Sequence, residues 1–412
     1  MSSVLRLLLW SETAHLRVMT GQDHQLAPRF DLLCMGGATI LYLVPYAMLT
    51  PQVTVHLTEA GASATAVSIY GLSPFVMVLA MSVVTPKILL RTGLKTAHLL
   101  GLVIAALALV ATSRLWLAGA LTMPFYVALG ALLGIASALT WTATEAMIAK
   151  HAPADRIGSF TAAYQTGLGA SLAIGPFLPV LFSMSDVGIA VTTAILMGFA
   201  LVLSVGSGRR QTTVGAKTKD GPTGRVAMRA VFVILLVALV GGWFEVGLNA
   251  ILPYFAVDMG LASGNAAMIV GVLATGALLS QLPIFVLSDK FTTYALYRAC
   301  ALTVTFGAML LGGASICAHV LWPSAFMFGA GGGALYTLAM IEVARSRVDQ
   351  PVAALTTLAV SAYTLGAVVG PFSAGVILDL TGARGLWIVL GTVPAVLLLM
   401  TFAHPSHQKK ET

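Results

Sequence analysis

The chain has 412 residues, of which 58% are hydrophobic and 9% are charged, and its mean hydropathy is +0.93. Average globular domains carry roughly 25% charged residues, so most of this chain cannot face water. These values exclude a set of soluble domains and predict an all-α polytopic membrane protein. The formal net charge of +7 then needs an explanation within a membrane topology.

Apolar segments long enough to cross a membrane follow one another along the chain. Crossing a hydrocarbon core about 30 Å thick takes roughly 20 helical residues. We predict twelve transmembrane helices, near residues 31–55, 65–85, 96–117, 121–148, 157–183, 186–207, 230–254, 264–288, 296–317, 321–345, 352–377 and 385–403.

The two ends of the chain are less apolar. Residues 1–30 include Arg6, Glu12 and Arg17, and they lack the long apolar core and small-residue cleavage site of a signal peptide. We interpret residues 1–30 and 404–412 as cytoplasmic tails. With the N-terminus in the cytoplasm, 20 of the 22 Lys and Arg residues fall on that side, and only Arg114 and Arg384 fall outside. The positive-inside rule therefore predicts cytoplasmic termini, and the charge gives no sign of nucleic-acid binding.

The longest polar stretch, at residues 208–229, is rich in Gly, Thr and basic residues, as flexible linkers are. It separates residues 31–207 from residues 230–403, with six predicted spans in each half. The halves share short similarities, such as YQTGLGASLAIGPFLP in the first and YTLGAVVGPFSAG in the second. Such a 6+6 repeat is typical of pseudosymmetric transporters, although Gly-, Ala- and Leu-rich helices also show weak similarity by chance.

One short motif gives the chain its most specific resemblance. The segment LPIFVLSDKFTTYALYR is similar to a loop of the major facilitator superfamily, between the second and third spans of a half. An Asp-Arg-x-Gly-Arg-Arg pattern is usual there, and Asp289 and Lys290 hold its first two places. The first-half counterpart, TPKILLRTGLK, keeps Arg91 but has Leu90 where the Asp is expected. The departure weakens the case for a lock in the first half.

The resemblance covers about residues 30 to 403 and implies two pseudosymmetric six-helix bundles. LTWTATEAMI and residues 241–289 are similar to the fourth and the seventh to eighth spans of YcaD-like bacterial members, which look like efflux carriers. The resemblance implies a small-molecule substrate, protons as the coupling ion, and a monomer in the lipid bilayer of a bacterial inner membrane.

Two Gly-Pro motifs extend the resemblance. The fifth span, with Gly175 and Pro176, partly resembles the Gly-Pro motif of drug/proton antiporters, and the eleventh span, with Gly366, Gly370 and Pro371, fits that pattern better. Small residues let helices approach closely and kink, which a rocking bundle requires.

Glu245 is a carboxyl group inside the apolar seventh span. A charged acid at the bilayer centre costs about 2.5–3.5 kcal/mol, so Glu245 should face a water-filled cavity or be protonated. Asn249 lies one helical turn further along the same small, polar face. We favour Glu245 as the proton-coupling residue, with Asn249 beside it. The alternative is a structural carboxyl, hydrogen-bonded between helices and away from substrate.

Other polar residues in the spans are candidates for the substrate site or for a cytoplasmic gate. Those that offer hydrogen bonds to a ligand, or equally to the backbone, are Tyr42, Tyr46, Gln165, Gln281, Tyr336 and Tyr363. Charged residues near cytoplasmic span ends resemble the ionic gates of sugar-porter-like relatives, or are ordinary interfacial charges: Glu145, Arg156, Arg91, Asp289, Lys290, Glu342 and Arg345.

No motif in the sequence indicates an enzyme. It has no phosphate-binding loop, nucleophile elbow or zinc-protease motif, and His56, His98 and His319 lack paired ligand spacing, so we predict no metal and no cofactor. The predicted function is a secondary transporter that exports a small neutral or cationic organic solute by proton antiport. The alternatives are uptake of a small metabolite by proton symport and a sensor or scaffold that does not transport.

Overall fold

The fold is given by a computed structural model that describes residues 3–119, 122–152, 157–206, 228–314, 316–345 and 352–403. Side chains are described from residue 30 onward, except next to some of the gaps. Throughout these residues the secondary structure is helical, with turns between the helices and no strand.

The first half of the chain contributes eight described helices, numbered in chain order. They are α1 (Ser3–Glu59), α2 (Ala64–Met81), α3 (Thr85–Thr92), α4 (Leu94–Leu117), α5 (Met123–His151), α6 (Ile157–Ile174), α7 (Leu178–Leu181) and α8 (Asp186–Gly206). A 3-10 turn, Gly175–Phe177, joins α6 to α7.

The second half contributes seven described helices, and a 3-10 turn at Ala318–Val320 precedes the fifth of them. They are α9 (Met228–Glu245), α10 (Ile251–Asp258), α11 (Ser263–Ser288), α12 (Thr293–Leu311), α13 (Leu321–Arg345), α14 (Val352–Thr381) and α15 (Ala383–Ala403).

Ten segments of the described chain are long and apolar enough to cross a membrane, the first being Phe30–Glu59 of α1. The two predicted spans absent from this set are the fifth and the seventh, and each is divided. The 3-10 turn separates α6 from α7, and residues 246–250 separate α9 from α10. With these broken segments included, the helices are consistent with the twelve predicted crossings, and we number the spans 1 to 12 accordingly.

The structure describes the predicted N-terminal tail but not the C-terminal tail or most of the linker. Helix α1 begins at Ser3 and continues to Glu59, so the segment predicted as an N-terminal tail is continuous with span 1. Residues 207–227 and 404–412 lie outside the described residues, and they contain almost all of the predicted linker and the whole C-terminal tail.

Each half buries its own apolar core. Phe244, Phe255 and Phe328 belong to the core of the second half, whereas Met48 and Tyr126 belong to that of the first. A few residues cross over: Ala250 of span 7 packs into the first-half core, and Val55 and Ala64 pack into the second-half core. The two halves therefore interlock around the end of span 1, the start of span 2 and the break in span 7.

The halves meet along two equivalent helix pairs. Helix α2 packs against α14 and helix α6 packs against α11, that is, span 2 against span 11 and span 5 against span 8. A shift of six spans interchanges the two pairs, as pseudosymmetry requires. We call the end of the bundle with Glu59, Ala64, Ser263 and Thr381 the distal end, and the end with Met81 and Ser288 the proximal end.

Candidate functional site

Span 7 is broken directly after Glu245, the last residue of α9. In the break, the amide of Gly247 donates to the carbonyl of Gly242 at 3.0 Å, and the amide of Asn249 donates to the carbonyl of Val246 at 3.2 Å. Neither bond has α-helical spacing. Pro253 has no N–H to donate to the carbonyl of Asn249, and Gly247 favours non-helical backbone, so the sequence explains the break.

Glycines allow α9 to approach its neighbouring helices closely, and this close packing positions Glu245. A Cβ added at Gly332 of α13 would lie 2.7 Å from the backbone nitrogen of Glu245, and one added at Gly242 would overlap the carbonyl of Tyr363. A Cβ at Gly366 of α14 would overlap the carbonyl of Leu239 in the same way. The predicted Gly-Pro motif of span 11 therefore contributes close helix contact.

The Gly-Pro motif of span 5 has an equivalent role. A Cβ added at Gly175 would lie 2.7 Å from the Cβ of Ala47 in α1, and one added at Gly370 would lie 2.7 Å from the indole ring of Trp243 in α9. Span 5 thus packs on span 1 as span 11 packs on span 7. The helix changes to a 3-10 turn at Gly175 and Pro176, whereas α14 continues through Pro371.

The carboxyl group of Glu245 has a defined hydrogen-bond donor. The hydroxyl of Tyr363 on α14 donates to its Oε2 at 3.1 Å. The ring of Tyr363 lies against that of Tyr336 on α13, with centroids 4.2 Å apart. Three helices of the second half therefore meet at this carboxyl. Because a carboxylate only accepts hydrogen bonds, the arrangement suits the ionised group.

Glu245 and Asn249 line a cavity between the halves that encloses about 740 Å³ of empty space, part of it open to solvent. Spans 1, 2, 5, 7 and 8 contribute to its wall. Its polar lining residues are Tyr46, Thr50, Glu245, Asn249 and Gln281, and the others are apolar or glycine. Among these described lining residues, Glu245 carries the charge, and none is Lys or Arg.

Only some of the polar residues predicted for the substrate site lie at the cavity. Tyr46 and Gln281 line it, and Tyr336 and Tyr363 adjoin it through Glu245. Tyr42 is fully buried, and its hydroxyl lies 2.7 Å from Oγ of Ser137 on α5. Its position in the first-half core therefore does not support the predicted contact with a ligand.

Gln165 is exposed on α6 and is not among the residues that line the cavity. The sequence prediction grouped it with Tyr46 and Gln281 because each is a polar residue within an apolar span. A position within an apolar span does not specify which neighbour a side chain meets. The side of α6 on which Gln165 lies keeps it out of the cavity wall.

The predicted gate residues whose side chains are described lie near the proximal end. Arg91, Asp289 and Lys290 are exposed at the proximal end, and Asp289 follows the last residue of α11. Glu342 is half-buried, and its carboxyl interacts electrostatically with the hydroxyls of Tyr294 and Tyr297 on α12. Arg156 lies outside the described residues, and so does the side chain of Arg345.

Glu145 is placed differently from the other predicted gate residues. Its side chain is exposed, yet its carboxyl interacts electrostatically with the hydroxyls of Tyr164 on α6 and Tyr336 on α13. Tyr336 belongs to the opposite half. Glu145 therefore faces the space between the halves, on the proximal side of the cavity.

Sequence reasoning missed two polar contacts within the first half. Nζ of Lys95 on α4 lies 2.6 Å from Oδ2 of Asp31 on α1. The buried His98 places one ring nitrogen 2.9 Å from Oγ1 of Thr39 and the other 2.9 Å from Oγ of Ser204. His98 thereby joins spans 1, 3 and 6. A single His in an apolar helix was the available signal, but it does not indicate its partners.

Sequence reasoning also missed the polar contacts between the halves. At the distal end, the carboxylate of Asp379 accepts hydrogen bonds from the backbone amides of Ala64 and Thr65, at 2.9 Å each. The hydroxyl of Ser263, the first residue of α11, donates to Oε1 of Glu59, the last residue of α1. In both contacts a carboxylate of one half meets the first turn of a helix of the other.

A comparison with known protein families identifies the fold. The family model described as Major Facilitator Superfamily matches residues 35–350 and, in a second match, residues 234–412. The chain belongs to the major facilitator superfamily. It is therefore an integral membrane transporter, and the predicted family is confirmed.

The relatives agree with the predicted subgroup. The uncharacterized MFS-type transporter YcaD of Escherichia fergusonii is 24% identical over 282 residues, which are 66% of this chain and 71% of the relative. Its counterpart in Salmonella typhi is 23% identical over 269 residues, covering 65% of this chain and 69% of the relative.

Solved structures agree on the fold alone. A D-xylose-proton symporter has a TM-score of 0.73 at 14% identity, covering 94% of this chain and 99% of that one. The nucleoside transporter NupG has a TM-score of 0.70 at 12% identity, covering 90% and 98%. The predicted two-bundle architecture is thus the architecture of these neighbours.

Proposed function

We propose that this protein is a secondary active transporter of a bacterial inner membrane that exports a small neutral or cationic organic solute in exchange for protons. The chain contributes no nucleotide-binding motif, so the transport is driven by a gradient. The observation that carries the proposal is Glu245, an acid in the cavity wall at the break of span 7.

The cavity lining defines the chemistry of the substrate. Glu245 attracts cations, and the amides of Asn249 and Gln281 with the hydroxyl of Tyr46 offer hydrogen bonds to neutral groups. Phe75, Leu172 and the other apolar lining residues suit a partly apolar body. An organic dianion would meet no cationic partner among the described lining residues and would be repelled by the ionised acid.

Proton exchange follows from a carboxyl that is open to one side of the membrane at a time. The carboxyl of Glu245 accepts a hydrogen bond from Tyr363, which favours its ionised form. When the substrate is released to one side, a proton from that side binds to Glu245 and leaves it neutral. A neutral carboxyl costs less free energy than a charged one in the apolar surroundings that it meets while the cavity changes its open side. Alternating closure of the two ends then exchanges substrate for a proton.

Uptake by proton symport is the second candidate function. It has a specific observation in its favour, because the solved relatives of the same fold include a D-xylose-proton symporter. The same cavity and the same acid serve either direction of transport. A sensor or scaffold is the candidate from another class, and it predicts binding without translocation.

The test uses purified protein in proteoliposomes and inverted vesicles. A screen with tetraphenylphosphonium, ethidium, a neutral nucleoside and an organic dicarboxylate identifies the transported class, and a proton gradient of either sign gives the direction. We expect transport of a cationic or neutral solute. Preferred transport of the dianion would contradict the charge argument, and absence of counterflow for every solute would favour the scaffold.

The decisive variant is Glu245→Gln, which resembles the protonated acid. We expect it to abolish gradient-driven accumulation and to retain substrate counterflow at a rate within about fivefold of the wild type. Asp186→Asn is the matched control, because it removes an exposed carboxylate at the start of α8. If Glu245→Gln still accumulates substrate with normal pH dependence, the carboxyl is structural.

A further inference from the structure

The cavity wall contains an unsatisfied acceptor beside the acid. Oδ1 of Asn249 is enclosed and has no hydrogen-bond partner within the part of the chain that the structure describes. Asn249 lies four residues after Glu245, on the far side of the break, and both line the same cavity. Leaving a buried acceptor unpaired costs free energy, so another state of the site should satisfy it.

The chemistry of Glu245 supplies the missing donor. An ionised carboxylate accepts hydrogen bonds only, and the carboxyl of Glu245 accepts one from the hydroxyl of Tyr363. A protonated carboxyl has one O–H donor, which an amide oxygen accepts well. Tyr363 is therefore the partner of the ionised form, and Asn249 offers the acceptor that the protonated form needs.

We propose that Asn249 is the positioning residue of the proton site: when Glu245 is protonated, its O–H donates to Oδ1 of Asn249, and when it is ionised, it accepts from Tyr363. The inference rests on the proposed role of Glu245 as the coupling acid. The step moves one proton from water in the cavity to a Glu245 oxygen, and no covalent bond other than that O–H is made or broken.

The break in span 7 connects this exchange of partners to the other half. Ala250, the residue after Asn249, packs so closely on Gly71 of α2 that a Cβ at Gly71 would overlap the Cβ of Ala250. Within residues 246–250, the amides of Gly247 and Asn249 also make bonds that do not have α-helical spacing. A new bond from Glu245 to Asn249 therefore acts on the segment that touches span 2.

The helices that surround Glu245 contribute other polar and titratable groups to the site. Helix α14 provides Tyr363, and helix α13 provides Tyr336, which also interacts electrostatically with Glu145 of α5. Helix α11 provides the uncharged Gln281 in the cavity wall. A proton titration at this site therefore reports mainly Glu245, with Glu145 as the acid to be distinguished from it.

The experiment is infrared difference spectroscopy of full-length protein in lipid vesicles, titrated with acid in the absence of any transported solute. Glu245→Gln identifies the carbonyl band of the protonated Glu245, and Glu145→Gln identifies that of Glu145. The test variants are Asn249→Leu, which keeps the shape and removes the acceptor, and Tyr363→Phe, which removes the donor. Asn265→Leu, an exposed position on α11, is the matched control.

We expect Asn249→Leu to weaken proton binding at Glu245 by about tenfold, which moves the titration midpoint by about one pH unit. Its carbonyl band should move to the frequency of a carboxyl with a weaker hydrogen bond. Tyr363→Phe should move the midpoint in the opposite direction. Asn249→Gln, which keeps an amide oxygen, should recover part of the wild-type value, and Asn265→Leu should change neither quantity.

An unchanged midpoint and band in Asn249→Leu would overturn the proposal, as would a shift in the same direction in both test variants or a protein without a Glu245 band. Monodisperse elution and helical circular dichroism identify variants that have not folded, and Asn249→Gln then provides the test. Because no transport is measured, this result is independent of the Glu245→Gln uncoupling experiment. The positioning role can fail while the coupling role stands.

Discussion

The two ends of the interface between the halves are built from different interactions. At the distal end, Asp379 accepts two backbone amide hydrogen bonds from the first turn of α2, and Glu59 meets the first residue of α11. At the proximal end, Asp289 and Lys290 are exposed. Distal closure therefore relies on helix ends and small residues, whereas the charged motif that resembles a gate lies at the opposite end.

The difference has a physical basis in the helix terminus. The first amides of a helix have no intrahelical acceptor, and a carboxylate placed there makes charge-assisted bonds that the helix dipole reinforces. Such a contact needs no basic residue as partner. The sequence therefore contains no pair of opposite charges that would indicate this contact, whereas the Asp-Lys motif at the proximal end is visible in the sequence.

The largest effect should come from forcing the distal end apart. A Cβ at Gly375 of α14 would overlap Oγ of Ser68 and lie 2.7 Å from the carbonyl of Ala64. Gly375→Leu should prevent closure, because it overpacks a buried contact between two helices. In a variant without native cysteines, a Thr50→Cys probe in the cavity should react with an impermeant maleimide from the distal side roughly thirtyfold faster.

The control for that variant is Gly198→Leu on α8, where an added Cβ meets nothing within 4 Å. It should leave the labelling rate unchanged. Equal rates for Gly375→Leu and the unmodified background would show that the distal contact between α2 and α14 does not close the cavity.

The next largest effect should come from Asp379→Ala. It removes both hydrogen bonds to the first turn of α2, which are partly screened because Asp379 is itself exposed to water. We expect Thr50→Cys to react about tenfold faster from the distal side. Asp379→Asn keeps one acceptor oxygen and should give a smaller increase, and a decrease in either variant would refute a closing role.

A smaller effect is expected from Glu59→Gln. The pair formed with Ser263 involves an exposed carboxylate, and exposed contacts contribute little to stability. Distal labelling should rise by about twofold to threefold in the same assay. A rise as large as that of Asp379→Ala would mean that both carboxylates close the distal end equally.

The smallest effect should come from the proximal end. Asp289→Asn and Glu342→Gln should change distal labelling of Thr50→Cys by less than about twofold, because neither residue takes part in the distal contacts. Any effect of these variants should appear in labelling from the proximal side, because it would reflect the opening or closing of that end. Distal labelling that rises tenfold would show that the two ends are coupled through these charges.

The sequence by itself determined the membrane class, the order of the apolar segments and the superfamily. These follow from local composition, because each span must be apolar over roughly 20 residues whatever it contacts. It also singled out Glu245, since an acid within an apolar run is costly enough to need a reason. The broken spans were less evident, although Gly175, Pro176 and Pro253 mark both breaks.

Only the tertiary structure decided which residues meet. Tyr42 and Tyr46 lie one turn apart on α1, yet Ser137 binds the first and the cavity receives the second. Glu245 finds its donor in Tyr363, 118 positions further along the chain. Asp379 accepts its hydrogen bonds because α2 approaches it. Hydropathy is a property of one segment, whereas a hydrogen bond depends on the packing of two segments, which local sequence does not specify.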